Sequence, residues 1–246
     1  MSAMLMSIIA VTMLFTAFLS GIFGMAGGLI LMGVLLAVLP LSEAMSLHAI
    51  TQITSNGWRG LIWIKNVRIR PAINFLFGSS IAFAAWSFWY YIPSKPVALI
   101  ALGLAPFVVH IIPDRLKPNP ENLLHGICYG ASSMTLMLLA GVSGPLIDTF
   151  FLGGKLDRRE IVATKAVCQV ASHAAKLVYF GGLVNQTVML DPIMISIAII
   201  VTIAGTSLAR PILEAMSDTA YRHWAGRIIM AIGGVFLVRG IYLLFV

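Results

Sequence analysis

The chain has 246 residues, of which 59% are hydrophobic and only 10% are charged, whereas a soluble domain is about half apolar and about a quarter charged. Together with a mean hydropathy of +0.96, this composition excludes a soluble globular protein and indicates an integral membrane protein. The formal net charge of +7 does not indicate nucleic-acid binding, because the basic residues fall mostly in short loops between apolar segments, where they set membrane topology.

The first predicted element is an interrupted membrane segment. Residues 4–39 are apolar, but Gly21-Ile-Phe-Gly-Met-Ala-Gly-Gly28 places four glycines among eight residues. Lipid cannot satisfy the backbone groups that such a stretch leaves free, so it must face protein or a wet cavity. A second apolar region, 124–152, is broken by Gly141-Val-Ser-Gly-Pro145.

Six further apolar segments are each long enough, at about twenty residues, to cross a bilayer. They are residues 43–64, 71–92, 96–112, 160–182, 189–209 and 224–245. We therefore predict an all-α polytopic membrane protein that contains two interrupted or re-entrant Gly-rich membrane elements.

Two of the predicted spans, 43–64 and 160–182, carry a stripe of polar side chains. The spacing i, i+4, i+7 and i+11 keeps each stripe within a sector of about 60° on one helix face. A charge near the bilayer centre costs about 3 kcal/mol even on the insertion scale, so the cation that ends each stripe needs water, an anion or a partner. The alternative is that each cation only extends to the nearer interface. The stripes are His48, Gln52, Ser55 and Arg59, and Lys165, Gln169, Ser172 and Lys176.

The two halves of the chain are internally similar. A shift of 117 residues without any gap aligns Glu43 with Glu160, and it also aligns the two polar stripes. An apolar composition produces chance matches of leucine and isoleucine, but not matches of Glu, Gln, Ser and a basic residue in one register. We predict two membrane repeats, 1–117 and 118–246, that together form one transport domain.

The basic loops indicate how the repeats are oriented. Basic residues follow the polar span in the first repeat, whereas they precede it in the second. If each interrupted element enters and leaves on one side, every basic loop is cytoplasmic, namely 65–70, 113–123, 153–159 and 210–223. This predicts inverted-topology repeats with both termini external, which is typical of secondary transporters with a site at the bilayer midplane. If each interrupted element crosses once, the basic loops divide between the two sides.

The broken elements and the stripes together favour an anion site. A helix that begins after Gly27-Gly28 or after Gly144-Pro145 offers free N–H groups and the positive end of its dipole to an anion. A glycine turn that serves only close helix packing is the alternative. Acidic residues, which would line a cation path, are scarce in these segments. The candidate substrate-binding residues are Gly27, Gly28, Gln52, Ser55, Arg59, Ser143, Gly144, Gln169, Ser172 and Lys176.

Three titratable residues are candidates for coupling transport to protons. Two of them, His48 and His173, carry side chains that titrate near neutral pH. The third, Asp148, is a candidate proton acceptor, although the sequence favours a structural role, as a helix N-terminal charge or as the ion-pair partner of Lys165 or Lys176.

The whole chain resembles the TauE/SafE sulfite-exporter family. The resemblance rests on Gly21-Ile-Phe-Gly-Met-Ala-Gly-Gly28 with Leu39-Pro40 and Ala49-Ile-Thr51, and on Gly141-Val-Ser-Gly-Pro145 with Arg159-Glu160 and Ala163-Thr164-Lys165. It implies a bacterial or archaeal inner-membrane transporter for sulfite, sulfoacetate or other sulfur-containing anions. The chain departs from the family's second signature around Pro145 to Asp148, where more glycine or proline and an apolar residue would be expected.

We therefore expect a secondary transporter that moves a small sulfur-containing anion by alternating access, with proton coupling as a further hypothesis. Its partners would be the small anion and the lipid bilayer. A passive anion channel is one alternative, and a membrane enzyme or assembly subunit that binds a lipid or cofactor is another. No zinc motif, phosphate loop or catalytic triad supports the enzyme, and Cys128 and Cys168 lie in apolar segments that predict neither a disulfide nor a metal site. We expect no cofactor, no metal and no catalytic residue.

Overall fold

The computed structural model of the chain describes residues 3–23, 26–111, 113, 118–152, 156–183, 190–215 and 218–245. Every regular element within these residues is helical, which confirms the all-α prediction. The α-helices are α1 Ala3–Phe23, α2 Ala26–Val38, α3 Leu41–Ile62, α4 Ile69–Trp89, α5 Lys95–His110, α6 Leu123–Ala140, α7 Gly144–Leu152, α8 Arg158–Val178, α9 Pro192–Ala215 and α10 Asp218–Tyr242. A 3₁₀ turn, Ile64–Asn66, follows α3, and a π-helical turn, Tyr179–Leu183, follows α8.

Both Gly-rich regions divide an apolar stretch into two helices. The second break begins at Gly141, whose φ of 81° lies in the left-handed region that favours glycine. Pro145 lies in the first turn of α7, where its fixed φ suits a helix start. The first break differs in detail, because α2 already begins at Ala26 and includes Gly27 and Gly28 in its first turn. Residues 24–25 lie outside the described residues.

The six predicted spans correspond to α3, α4, α5, α8, α9 and α10. The largest differences occur near the C-terminus, where α9 continues to Ala215 instead of ending at 209 and α10 begins at Asp218 instead of 224. The start of α8 has a clear local cause. Asp157 accepts hydrogen bonds from the backbone N–H groups of Arg159 and Glu160, and the Glu160 carboxylate accepts one from the N–H of Asp157, which forms a capping box.

Four helices in the described part of the chain are long and apolar enough to cross a membrane, judged by length and composition. These segments are Met4–Ile22, Ile69–Trp89, Leu123–Ala140 and Pro192–Ala209. Their outward faces expose large apolar side chains, among them Val11, Phe15, Ile73, Phe77, Ile200 and Leu208. Such an exposed apolar surface would be an aggregation liability in water but fits a lipid environment.

The first helix of each predicted repeat packs mainly against the fourth helix of the other. Thus α1 contacts α9, and α6 contacts α4. Glycines permit this close approach, because a Cβ at Gly130 would collide with the carbonyl oxygen of Phe75 and a Cβ at Gly205 would collide with that of Leu14. The corresponding helices α3 and α8 pack on each other, as do α5 and α10. The two halves of the chain are therefore intertwined.

Candidate functional site

The two polar stripes face each other at the contact between α3 and α8. The helices run antiparallel, since Gly60 of α3 lies next to Ala166 of α8 and Gly57 lies near Val170, while His48 contacts Lys176. Ser55, Gln52, Gln169 and Ser172 are all buried at this contact. The stripes are thus turned toward the protein interior, away from the exposed apolar faces.

A cavity lies where this contact meets the two broken elements. Its volume is about 20 Å³, and this exceeds the roughly 10–15 Å³ that one ordered water needs. Its walls come from the first turn of α2, the middle of α3, the start of α7 and the middle of α8. The lining residues are Gly28, Leu29, His48, Gln52, Asn56, Val142, Ser143, Gly144, Pro145, Gln169 and His173.

The cavity presents polar side chains and backbone rather than carboxylates. None of the lining residues is acidic within the described part of the chain. Ser143 Oγ and His173 Nδ1 are buried and have no hydrogen-bond partner among the described residues. Because a buried polar atom without a partner is costly, these two atoms indicate a place where a polar ligand or water completes the hydrogen bonding.

Two basic side chains, Lys176 and His48, are hydrogen-bonded to each other at one end of the cavity. Lys176 is completely buried, and its Nζ lies 2.7 Å from His48 Nδ1 and donates to the carbonyl oxygen of Gly141 at 2.8 Å. His48 Nε2 lies 3.0 Å from the carbonyl oxygen of Gly28. The His48 and His173 rings are 5.4 Å apart, centroid to centroid. Lys176 itself does not line the cavity; it lies behind His48.

Arg59 occupies the stripe position that corresponds to Lys176, and its environment differs. Its guanidinium Nη2 contacts Ser55 Oγ at 3.4 Å, and Ser55 Oγ in turn lies 3.0 Å from Thr206 Oγ1 of α9. Arg59 is partly exposed, whereas Lys176 is fully buried. Neither Arg59 nor Ser55 lines the cavity.

Asp148 forms an ion pair with Lys165, which is one of the alternatives that the sequence leaves open. The pair joins α7 to α8, and both side chains are about nine-tenths buried, with exposed fractions of 13% and 10%. Lys165 is the stripe residue that corresponds to His48. Each of these two residues therefore connects its own stripe helix to the short helix that follows the break of its own half.

The glycines of the first break have different surroundings. A Cβ at Gly28 would lie 3.4 Å from Gln52 Oε1, in ordinary contact at the cavity wall. A Cβ at Gly27 would instead collide with the carbonyl oxygen of Thr16 in α1, so Gly27 allows close packing between α1 and α2. Ser172, although buried, also lies outside the cavity lining.

Three of the basic loops meet at one end of the helices. Arg68 forms ion pairs with Glu121 at 3.2 Å and with Glu160 at 3.0 Å. Its backbone N–H donates to Thr164 Oγ1. The loops that contain residues 65–70, 118–123 and 156–160 therefore lie on the same face of the protein.

Four lining residues, Leu29, Asn56, Val142 and Pro145, are absent from the residues that the sequence proposes for the site. Asn56 follows Gln52 by one helical turn and lies on the same face, so the stripe pattern contains this signal. The apolar Leu29 and Val142 give no chemical signal, and their place in the wall follows only from the tertiary packing.

The family model described as "Sulfite exporter TauE/SafE" matches residues 9–236 of the chain. The match covers nearly the whole chain and confirms the resemblance that its glycine-rich motifs indicate. No curated protein and no solved structure matches the chain. The family match and the apolar helices identify a multi-pass membrane protein of a transporter family, for which a small anion is the substrate and the lipid bilayer is the environment.

Proposed function

The chain belongs to the TauE/SafE sulfite-exporter family, and from this we propose that it is a secondary transporter that works by alternating access. Its substrate is a small sulfur-containing anion, namely sulfite, sulfoacetate or another organosulfonate. It acts in the inner membrane of a bacterium or archaeon with both termini external, and its two inverted repeats are residues 1–117 and 118–246.

The observation that carries this proposal is the cavity between the two halves. It lies between the starts of two short helices, where backbone N–H groups favour an anion. It also contains buried polar atoms of Ser143 and His173 that have no hydrogen-bond partner in the part of the chain that the structure describes. Gly28, Gln52, Gly144 and Gln169 complete the proposed anion site. Lys176 contributes positive charge from behind His48, and among the described residues no acidic side chain lines the cavity to oppose it.

The remaining stripe residues support the site from outside the cavity. Ser55 and Arg59 connect α3 to α9 through Thr206, and Ser172 is buried on α8. Gly27 has a packing function against α1. Ser55, Arg59, Ser172 and Gly27 thus contribute to the site by shaping its walls.

The antiparallel arrangement of α3 and α8 supports inverted repeats. These helices are equivalent under the 117-residue shift, and they run in opposite directions, as inverted repeats require. Their two end cations have unequal exposure, since Lys176 is buried and Arg59 is partly exposed. In the proposed topology Lys176 lies toward the external side and Arg59 toward the cytoplasmic side, so this asymmetry supports a conformation that is closed on the external side. In the opposite conformation Arg59 is buried and Lys176 is partly exposed.

Transport by purified protein in proteoliposomes tests the proposal against its alternatives. We expect unlabelled sulfoacetate inside the vesicles to accelerate entry of labelled sulfoacetate, because an alternating-access carrier exchanges one anion for another. A passive channel shows no such acceleration. A membrane enzyme or assembly subunit shows no flux above that of empty vesicles, and this result would refute the proposed function.

A further inference from the structure

The hydrogen bonds around His48 determine which of its atoms carry protons. The carbonyl oxygen of Gly28 can only accept, so His48 Nε2, 3.0 Å away, carries a proton and donates. His48 Nδ1 is therefore the acceptor for Lys176 Nζ at 2.7 Å while the imidazole is neutral. A second proton of Lys176 is donated to the carbonyl oxygen of Gly141.

Counted from a neutral Lys176 amine and a neutral His48 imidazole, this hydrogen-bonded arrangement holds one additional proton but not two. With one, either Lys176 is an ammonium that donates to neutral His48, or Lys176 is an amine that accepts from a charged imidazole. A further proton leaves two cationic donors facing each other at Nδ1 and Nζ, because an ammonium group has no lone pair. The Lys176–His48 hydrogen bond then breaks, while the bond from Lys176 to Gly141 is retained.

Among the described residues, the surroundings of His48 provide no fixed negative charge to offset a second proton. In the described chain, the ionisable groups that act on His48 and its neighbour His173 are these residues themselves and Lys176. The first turn of α2 and the 141–143 turn contribute backbone carbonyls, and α9 contributes the neutral hydroxyl of Thr206 near Ser55. An anion in the cavity, which His48 lines, supplies the missing negative charge.

We propose that His48, held against Lys176, binds the proton that is transported together with the anion; this inference rests on the proposed function of the same cavity. The added proton goes to His48 Nδ1, and the anion stabilises the resulting pair of cations. Because Gly28 and His48 belong to the first repeat, and Gly141 and Lys176 to the second, the broken bond is one that joins the two repeats. Proton and anion together therefore release a contact that must change when the repeats move.

Thermodynamic linkage gives the proposal a measurable consequence. If the anion increases proton binding at His48, then protons increase anion affinity by the same factor. Uptake of one proton with each anion changes the anion affinity by at most about tenfold per pH unit. Sulfoacetate is a suitable probe between about pH 6 and 8, because its charge is constant above the ordinary carboxyl range.

The experiment compares the full-length protein with His48→Gln and with the matched control His125→Gln. Gln at position 48 keeps a donor and an acceptor but does not titrate in this range. His125 is exposed in the first turn of α6, at the opposite end of that helix from the cavity-lining Val142 and Ser143. Sulfoacetate binding is measured in detergent across the pH range, and exchange and proton-driven accumulation are measured in proteoliposomes.

We expect sulfoacetate affinity of the parent and of His125→Gln to rise several-fold per unit fall in pH, and an inward proton gradient to drive accumulation. Because His48 lines the cavity, His48→Gln should bind sulfoacetate more weakly than the parent at pH 6, with an affinity that no longer changes with pH and with no proton-driven accumulation. His48→Asn, which also keeps a donor and an acceptor, replaces this variant if it does not fold.

Two results would overturn the inference without affecting the proposed function: parental pH dependence and accumulation in the His48 variants, or pH-independent binding and exchange in the parent. A parent that neither binds nor exchanges any sulfur-containing anion would instead refute the proposed function. The two failures are therefore distinguishable.

Discussion

At the residue scale, Gly28 is the position where one methyl group tests the cavity with the least disturbance of packing. The three atoms nearest to a Cβ at Gly28 all belong to the Gln52 side chain, the closest at 3.4 Å, so Gly28→Ala occupies the cavity wall without a collision with backbone. Because the added methyl group takes space from the anion, we expect anion affinity to fall by about tenfold or more, which corresponds to a loss of about 1.4 kcal/mol or more in binding free energy. The unfolding temperature without anion should change little. Anion-dependent thermal stabilisation measures both quantities.

The matched control is Gly57→Ala, on the same stripe helix. A Cβ at Gly57 would approach only Val170, at 3.9 Å, and Gly57 does not line the cavity. Gly57→Ala should therefore keep the parental affinity. Equal affinities for Gly28→Ala and the parent would remove Gly28 from the anion site.

Lys176 is a fully buried basic residue that is hydrogen-bonded to His48 of the cavity lining. Lys176→Gln retains donors for His48 and Gly141 but removes the charge. We expect a loss of anion affinity of about tenfold or more at constant pH, because charge–charge attraction is strong in a buried site. Arg59→Gln should reduce affinity less, since Arg59 contacts Ser55 outside the cavity. Equal titration-calorimetry affinities for Lys176→Gln and the parent would contradict this role of the charge.

At the scale of elements, the Lys165–Asp148 ion pair fixes α7 against α8 near the cavity. Breaking a mostly buried pair leaves one charge uncompensated and costs about 3–5 kcal/mol, whereas replacing both partners by apolar residues is often neutral. Asp148→Leu is a natural choice, because the 117-residue shift aligns Asp148 with Leu31. We expect Asp148→Leu to lower the unfolding temperature strongly.

The double variant Asp148→Leu, Lys165→Met should recover most of that loss. It should also retain anion exchange, because the pair lies outside the cavity lining. If the double variant unfolds as easily as Asp148→Leu, the ion pair does not explain the stability. If it is stable but transports nothing, Asp148 or Lys165 has a direct role in transport.

The sequence predicts most elements because their signals are local. Glycines mark both breaks, and runs of about twenty mostly apolar residues mark the six spans. Helical spacing also identifies the buried face of α3 and α8. The partner of Asp148 could not be chosen between Lys165 and Lys176 in this way, because helix spacing does not show which side chains of separate helices meet.

The site itself is predictable only in part for the same reason. Gln52 and Gln169 follow from the stripes, and the structure places both at the cavity. Gly27 and Gly28 are indistinguishable in the sequence, yet one faces α1 and the other faces Gln52. The hydrogen bonds of His48 to Gly28 and Lys176 depend on residues that are distant in the chain, so they emerge only from the packing of helices.

At the scale of the whole molecule, the contacts of Arg68 with Glu121 and Glu160 place three basic loops on one face, which the proposed inverted topology assigns to the cytoplasm. Single cysteines at Asn66 and Asp157 should both be protected from a membrane-impermeant label added outside cells, whereas a cysteine at Ser94 should react. The exposed Cys128 is replaced beforehand, together with Cys168. Labelling of Asn66 and Asp157 from opposite sides would refute inverted repeats.

The central claim is that the cavity between the two repeats holds the anion, and Gln169→Glu tests it most directly. This change preserves side-chain size but adds a negative charge to a cavity whose lining contains no acidic residue in the described chain. Anion-dependent thermal stabilisation, which at an anion concentration of 100 Kd is worth about 2.7 kcal/mol, is measured above the ordinary carboxyl pKa range. We predict that sulfoacetate stabilises the parent and does not stabilise a folded Gln169→Glu protein. An undiminished sulfoacetate-dependent shift in Gln169→Glu would contradict the claim.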